Sequence, residues 1–221
     1  MKKNRIWDMW AHKYEKLWVQ KYSLGPSRKA IIQELETLLQ ADRSYQLLDM
    51  GCGTGQLIRD MKEAFPNFDI SYRGVDASKE MIRVAEGKSH GIDYEVSTVK
   101  DFHVGARVFD IIVCAHSFPY YPDQAKTLLK LHGMLKDGGL FIIVQASQNN
   151  LYDKIALSLV KLTTSKAVYP SEKTMLRLMD AFKEVKVRRI KEKIYMPSIL
   201  VFTAVKGENI YENTFNKTQT S

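Results

Sequence analysis

The sequence predicts an α/β fold: a doubly wound, mostly parallel sheet with helices on both faces. Three observations lead there. Short apolar runs of strand length recur between stretches of helical periodicity. The first such run ends in an acid and passes into "GCGTG". A chain of 221 residues with 45% hydrophobic content can bury one good core and would be crowded as two domains. Strands that alternate with helices need crossover connections, and hence a parallel sheet. Ligands of such sheets sit at the carboxyl ends of the strands.

The elements follow in order. Trp7, Trp10, Tyr14, Leu17 and Trp18 in "WDMWAHKYEKLW" fall at helical spacing and define one face, for which core packing is the bland reading. "GPSRKAIIQELETLLQ" reads as a helix begun by Pro26 with Ile31, Leu35, Leu38 and Leu39 facing inward. Strands are expected at "YQLLDM" (45–50), "SYRGVD" (71–76), "IDYEVS" (92–97), "FDIIVCA" (109–115) and "GLFIIVQA" (139–146). Between them, Leu57, Ile58, Met61, Ala64 and Phe65 make one helical face before Pro66. Ser78 or Asp76 can cap "SKEMIRVAE". Leu128, Leu129, Leu131, Met134 and Leu135 make another face, ending at Gly138-Gly139. "NNLYDKIALSLVKL" places Leu151, Ile155, Leu159 and Leu162 on a face, with Asn150 as its cap. "EVKVRRI" (184–190) and "IYMPSILVFTAV" (194–205) are close enough to pair as a hairpin at the sheet edge, where Pro197 is tolerated. The polar stretch 208–221 is expected to be a disordered tail after a single domain spanning 1–207.

The turn after the first strand carries the chemistry. Gly51, Gly53 and Gly55 let backbone lie against a ligand where a Cβ would collide, and the helix starting near Gln56 presents free N–H groups. A tight turn without a ligand explains one or two glycines well and three poorly. Gln56 stands where the dinucleotide pattern has its last glycine, which disfavours a pyrophosphate ligand. Asp76 ends the second strand 21 residues beyond Gly55, where an acid meets ribose hydroxyls in nucleotide folds.

Composition narrows the partners. The two cysteines, Cys52 and Cys114, form no ligand pattern with histidine and no disulfide framework, so no metal is expected and the protein reads as cytoplasmic. "MKKNRIWDMW" starts neither a signal peptide nor a membrane span. The net charge of +8 speaks to association rather than fold.

Taken together, "LLDMGCGTG", "GVDASKEMI", "FDIIVCAHSF" and "LKDGGLFIIV" resemble the class I S-adenosylmethionine-dependent methyltransferases, particularly their small-molecule branch. The resemblance is strong over residues 45–146. It implies a Rossmann-like seven-stranded sheet with an antiparallel last strand, and S-adenosyl-L-methionine as cofactor. By the same resemblance Asp49 and Gly51 lie near the methionine part, Gly53 and Gly55 allow close approach, Asp76 binds the ribose and Ala77 lies against adenine. Thr98 replaces the acid that often reaches the adenine amino group. Val99 can still offer its backbone N–H there, and Asp101 can stand in for the acid. The leading segment, about residues 1–40, resembles the family's lid helices, with Tyr14 near the cofactor's amino-acid end.

Direct displacement at a sulfonium methyl needs alignment and, for some acceptors, removal of a proton. Ala115 and "HSFPYYPD" follow the fourth strand and face the transferring methyl under this reading. His116 is the general-base candidate, with a hydrogen-bonded wall residue as the alternative. Tyr120 and Tyr121 either shape the acceptor pocket or pack at a helix start. His12 is expected to be exposed. The function read here is methyl transfer to nitrogen, oxygen or another nucleophilic atom of a small-molecule acceptor. The alternatives are an RNA or lipid-headgroup methyltransferase and a non-catalytic S-adenosylmethionine-binding protein. Lys183, Lys186, Arg188, Arg189, Lys191 and Lys193 would suit phosphates, but charge on an outer strand usually blunts an edge, so nucleic acid ranks second.

Overall fold

The computed structural model describes residues 5–106, 108–164, 167–190 and 197–207. The expected tail lies outside the described residues, as does the start of the last expected strand. Strands β1 (Tyr45–Met50), β2 (Ile70–Asp76), β3 (Asp93–Val96), β4 (Phe109–Ala115), β5 (Leu135–Ala146), β6 (Glu184–Ile190) and β7 (Ile199–Val205) form one sheet. Their order is β3-β2-β1-β4-β5-β7-β6. Strands β3 to β5 pair in parallel, while β7 runs antiparallel to both β5 and β6. This is the mostly parallel seven-stranded sheet with an antiparallel last strand. The terminal strands do pair, but β7 lies inside the sheet and β6 takes the edge. Pro197 accordingly precedes the ladder, which starts at Ile199.

Alternation along each central strand feeds two cores. Leu47, Ile111, Val113, Ile142 and Val144 pack on Ile31 and Leu35 of α2 (Gly25–Glu36) and on Ile58 and Met61 of α3 (Gln56–Ala64). Their neighbours Leu48, Ile112, Cys114, Phe141 and Ile143 point the other way, toward Leu128 and Leu131 of α5 (Gln124–Met134) and Met175 of α7 (Glu172–Leu178). Both faces are therefore dry, which is why these strands read as continuous apolar runs. Between α3 and α5 in the chain, α4 (Lys79–Lys88) is capped by Ser78, whose hydroxyl accepts from the Met81 N–H.

Several helical faces differ from expectation. Leu38 and Leu129 are exposed, and Ala64 lies on the solvent side of α3. Leu135 opens β5 rather than closing α5, because the chain turns extended there without an intervening loop. On α6 (Leu151–Thr164) Leu151 and Ile155 face solvent. Among the described side chains of this helix the buried ones are Leu157 and, unexpectedly, Asp153, while Leu159 and Leu162 lie outside them. That carboxylate accepts from the Asn149 and Ser198 N–H groups, while Asn150 caps the helix by accepting from Asp153 N–H. Satisfied backbone donors, not apolar periodicity, set the rotation of this helix.

The N-terminal stripe is not one helix. α1 (Arg5–Trp10) stops after six residues; Tyr14–Lys16 is a 3₁₀ turn and Gln20–Leu24 a π-helical turn leading directly into α2. Trp18 is exposed rather than core. Polar ties fix the segment instead. Glu15 takes Arg59 at 2.7 Å and Lys88 at 2.6 Å, and Ser78 Oγ donates to Asp8 at 2.5 Å.

Candidate functional site

The carboxyl ends of β1 and β4 converge with the N-terminal segment on a small cleft of about 50 Å³, lined among others by Tyr14, Arg28, Asp49, Gly53, Ala115 and His116; Asp76, at the end of β2, is not among its lining residues. The glycine turn is its floor. Gly51 and Cys52 both donate to the Val75 carbonyl, at 2.7 and 3.0 Å, which ties the end of β1 to β2.

The three glycines have different reasons. All lie at positive φ. A Cβ on Gly51 would fall 2.2 Å from Ser117 Cβ, and one on Gly55 would fall 2.3 Å from the Tyr94 hydroxyl. Those two make room for protein. A Cβ on Gly53 would meet only Tyr14 Cε1, at 3.9 Å. Gly53 alone turns bare backbone to open space, so the close approach expected at Gly55 serves Tyr94 instead.

Asp76 is fixed by that turn. Its Oδ2 accepts from Gly53 N–H at 2.9 Å and its Oδ1 from Ser78 N–H at 2.8 Å. Ser78, not Asp76, is thus the helix cap. Burial raises the Asp76 pKa, and these N–H bonds oppose the rise. An ionised carboxylate offers about four lone-pair sites, so Asp76 retains acceptor capacity.

Asp49 is 1% exposed, and its Oδ1 has no hydrogen-bond partner. Burial, followed by the charge of Asp76, pushes its pKa up to about 8. A buried acid with an orphaned oxygen is costly unless a cation or donor comes to it. Across the cleft, Tyr14 is held up in pKa by burial and then by Tyr120.

Beyond β4, His116 is a non-glycine residue at φ +58, a conformation that persists when its surroundings impose it. Its N–H donates to the Val144 carbonyl at 2.7 Å, and its Nε2 lies 2.7 Å from Ser27 Oγ. Burial, followed by Arg28, lowers its pKa to about 4. Tyr120 packs edge-on against Trp7 at 5.0 Å and lies 3.3 Å from the Tyr169 hydroxyl. These rings form an aromatic wall continuing to Leu157 and Ala146. Tyr121 is placed elsewhere: its hydroxyl donates to the Met50 carbonyl at 2.9 Å, beneath the Gly51 turn.

Thr98 and Asp101 come together past β3, with Thr98 Oγ1 donating to Asp101 Oδ2 at 2.7 Å beside buried Val99. Ala77 lies between Asp76 and the cap of α4. His12 is exposed and paired with Arg83 at 2.7 Å.

The sequence reading passed over Ser27 and Arg28. Arg28 reaches Asp60 at 2.6 Å and Gln20 Oε1 at 2.9 Å while lining the cleft. One signal was available. A cation in the first turn of a helix opposes the helix dipole and calls for another reason to be there.

The chain is similar in sequence and fold to known methyltransferases. Residues 48–143 match the family model described as a methyltransferase domain. The malonyl-[acyl-carrier protein] O-methyltransferase of Halalkalibacterium halodurans is 30% identical over 51% of this chain and 43% of its own length. The demethylmenaquinone methyltransferase of Thermotoga maritima is 28% identical over 64% of this chain and 60% of its own. The chain thus spans roughly half the length of the curated relatives it matches. Among solved structures, a SAM-dependent methyltransferase from Thermotoga maritima superposes with a TM-score of 0.71 at 18% identity, covering 91% of this chain and 98% of that one.

Proposed function

We propose that this chain is a class I S-adenosylmethionine-dependent methyltransferase that moves a methyl group from S-adenosylmethionine to a nucleophilic nitrogen, oxygen or other atom of a small molecule. The bare backbone at Gly53, opposite Tyr14 and tied to Asp76, is the observation that carries this reading. The residues present fit the cofactor. Asp76 offers acceptor capacity for ribose hydroxyls, and the orphaned Asp49 Oδ1 suits the cofactor's ammonium group. Arg28 provides a cation for its carboxylate. Ala77, Val99, Thr98 and Asp101 are the candidates for adenine.

When bound, the cofactor supplies a methyl carbon already activated by a sulfonium, so no covalent enzyme intermediate is required. The chain's own part is to align the acceptor, exclude water and accept a proton where the acceptor carries one. Trp7, Tyr120 and Tyr169 make an apolar, aromatic acceptor wall. His116, neutral at pH 7, is the group placed to take a proton. Relatives named for malonyl-[acyl-carrier protein] and demethylmenaquinone support an acceptor other than nucleic acid. The basic outer strand has structural duties as well: Arg188 pairs with Glu34 at 2.9 Å and bonds the Ala30 carbonyl.

Methyl-labelled S-adenosylmethionine incubated with the protein and a cell extract, then separated into small metabolites, lipids, RNA and protein, tests the proposal. Label in small metabolites supports it. Label in RNA or lipid moves the acceptor to that class, and cofactor binding without label anywhere makes the chain a binding protein.

A further inference from the structure

Ser27 is fully buried near the start of α2, and its hydroxyl touches two acceptor-capable atoms. The Ser23 carbonyl lies 2.8 Å away and can only accept, so the single hydroxyl proton goes there. Toward His116 Nε2, at 2.7 Å, Ser27 Oγ then presents a lone pair. Two lone pairs do not make a hydrogen bond, so with the hydroxyl proton on Ser23 the contact favours the proton on Nε2. The imidazole is neutral, and Nδ1 keeps its lone pair, with no hydrogen-bond partner among the described residues.

We propose that Ser27 is a positioning residue that locks His116 in the Nε2–H tautomer, leaving Nδ1 to accept the proton of an O–H or N–H acceptor. This rests on the reading of the cleft as a methyl-transfer site. In the step, the acceptor's lone pair forms the new bond to the methyl carbon as the carbon–sulfur pair departs onto sulfur. The acceptor's proton moves to Nδ1 and passes to solvent after product release. The imidazolium keeps its Nε2–H bond to Ser27 throughout, while Ser27 keeps its own proton on Ser23. Burial makes that cation short-lived, which favours return to the starting state. The Ser27 hydroxyl reaches the Ser23 carbonyl by the i to i−4 back-bond of a helical turn, at the point where Gln20–Leu24 runs into α2. A Cβ on Gly25 would lie 2.7 Å from the Gln20 carbonyl oxygen, so this junction requires glycine.

Long-range proton–nitrogen NMR of imidazole-labelled protein reads the tautomer with no acceptor present, His116 being assigned from the resonance lost in His116→Asn. The wild type is expected to show a pyrrole-like Nε2 and a pyridine-like Nδ1. Ser27→Ala is expected to mix the tautomers and Ser27→Thr to restore them. In the extract assay Ser27→Ala should slow label transfer roughly 100-fold, a typical share for proton transfer, with affinity for S-adenosylhomocysteine kept within about twofold. A wild-type spectrum with the proton on Nδ1 overturns the proposal without any variant, as does an unchanged tautomer in folded Ser27→Ala. Failure of the wild type to bind S-adenosylhomocysteine would sink the reading of the cleft while leaving the tautomer result standing.

Discussion

Replacing Gly53 by alanine separates a ligand-facing glycine from a packing one. The added Cβ meets only Tyr14 Cε1, at 3.9 Å, so the protein loses little packing. The left-handed φ of +54 costs a non-glycine residue about 1–2 kcal/mol. A stiffer unfolded chain offsets roughly 0.5 kcal/mol of that. A net loss of about 1 kcal/mol lowers Tm by about 2–4 °C in a protein of this size. In the proposed placement the cofactor lies against the same backbone, so its affinity should fall at least ~100-fold, or about 2.7 kcal/mol. Gly55→Ala is the control. Its Cβ falls 2.3 Å from the Tyr94 hydroxyl and 3.2 Å from Ala85 Cβ, which adds overpacking to the strain. Its expected loss of about 3 kcal/mol lowers Tm by about 6–12 °C. Thermal unfolding and titration calorimetry with S-adenosylhomocysteine provide both readouts. Wild-type affinity in folded Gly53→Ala would refute the assignment of the cradle.

Asp76→Ala removes the acceptor of the Gly53 and Ser78 N–H groups and should cost stability of about 2 kcal/mol. Cofactor affinity should drop with it, and unchanged affinity by calorimetry would remove the ribose assignment. Asp49 binds its proton more tightly folded than unfolded, so between about pH 4 and its folded pKa of about 8 it makes stability fall as pH rises. Asp49→Asn should flatten that limb in denaturant titrations at successive pH values. Binding of the cationic cofactor to wild type at pH 7 should release up to about one proton, read from calorimetry in buffers of different ionisation enthalpy. His116 shows the opposite behaviour. Its folded pKa of about 4 lies below the unfolded value, so it costs stability as pH falls below about 6.5. His116→Asn, which tolerates the left-handed backbone, should abolish that acid limb and slow turnover while sparing cofactor affinity.

The sheet was legible because its central strands are buried on both faces, and continuous apolar runs bounded by turns are what such burial requires. The boundaries of β1, β4 and β6 match the sequence reading residue for residue. Asp49 and the glycine turn were legible for a similar reason, since a strand end, positive φ and a helix start leave few residue choices. The N-terminal segment was not. Its aromatic spacing satisfies a helical period, yet Trp7 packs on Tyr120 and Glu15 is drawn to Arg59 and Lys88, contacts made by residues far along the chain. The rotation of α6 escaped because it depends on Asp153 meeting the Asn149 and Ser198 N–H groups. Ser27 escaped because helix packing, not local pattern, brings it against His116, whereas Arg28 carried a local signal in its place in the first turn of α2.

The placement of β7 also governs the order in which the molecule can be made. Among the described residues β6 has no ladder partner other than β7, and β7 leaves the ribosome after it. Until Ile199–Val205 has been synthesised, the apolar β5 is an open sheet edge and the segment that becomes β6 has nothing to pair with. Nascent chains at that length carry an aggregation-prone edge that folding of the first five strands cannot close. A stop codon after Ile190 and before Ile199 therefore leaves β5 open and β6 unpaired, even though every residue of the cleft has already been made.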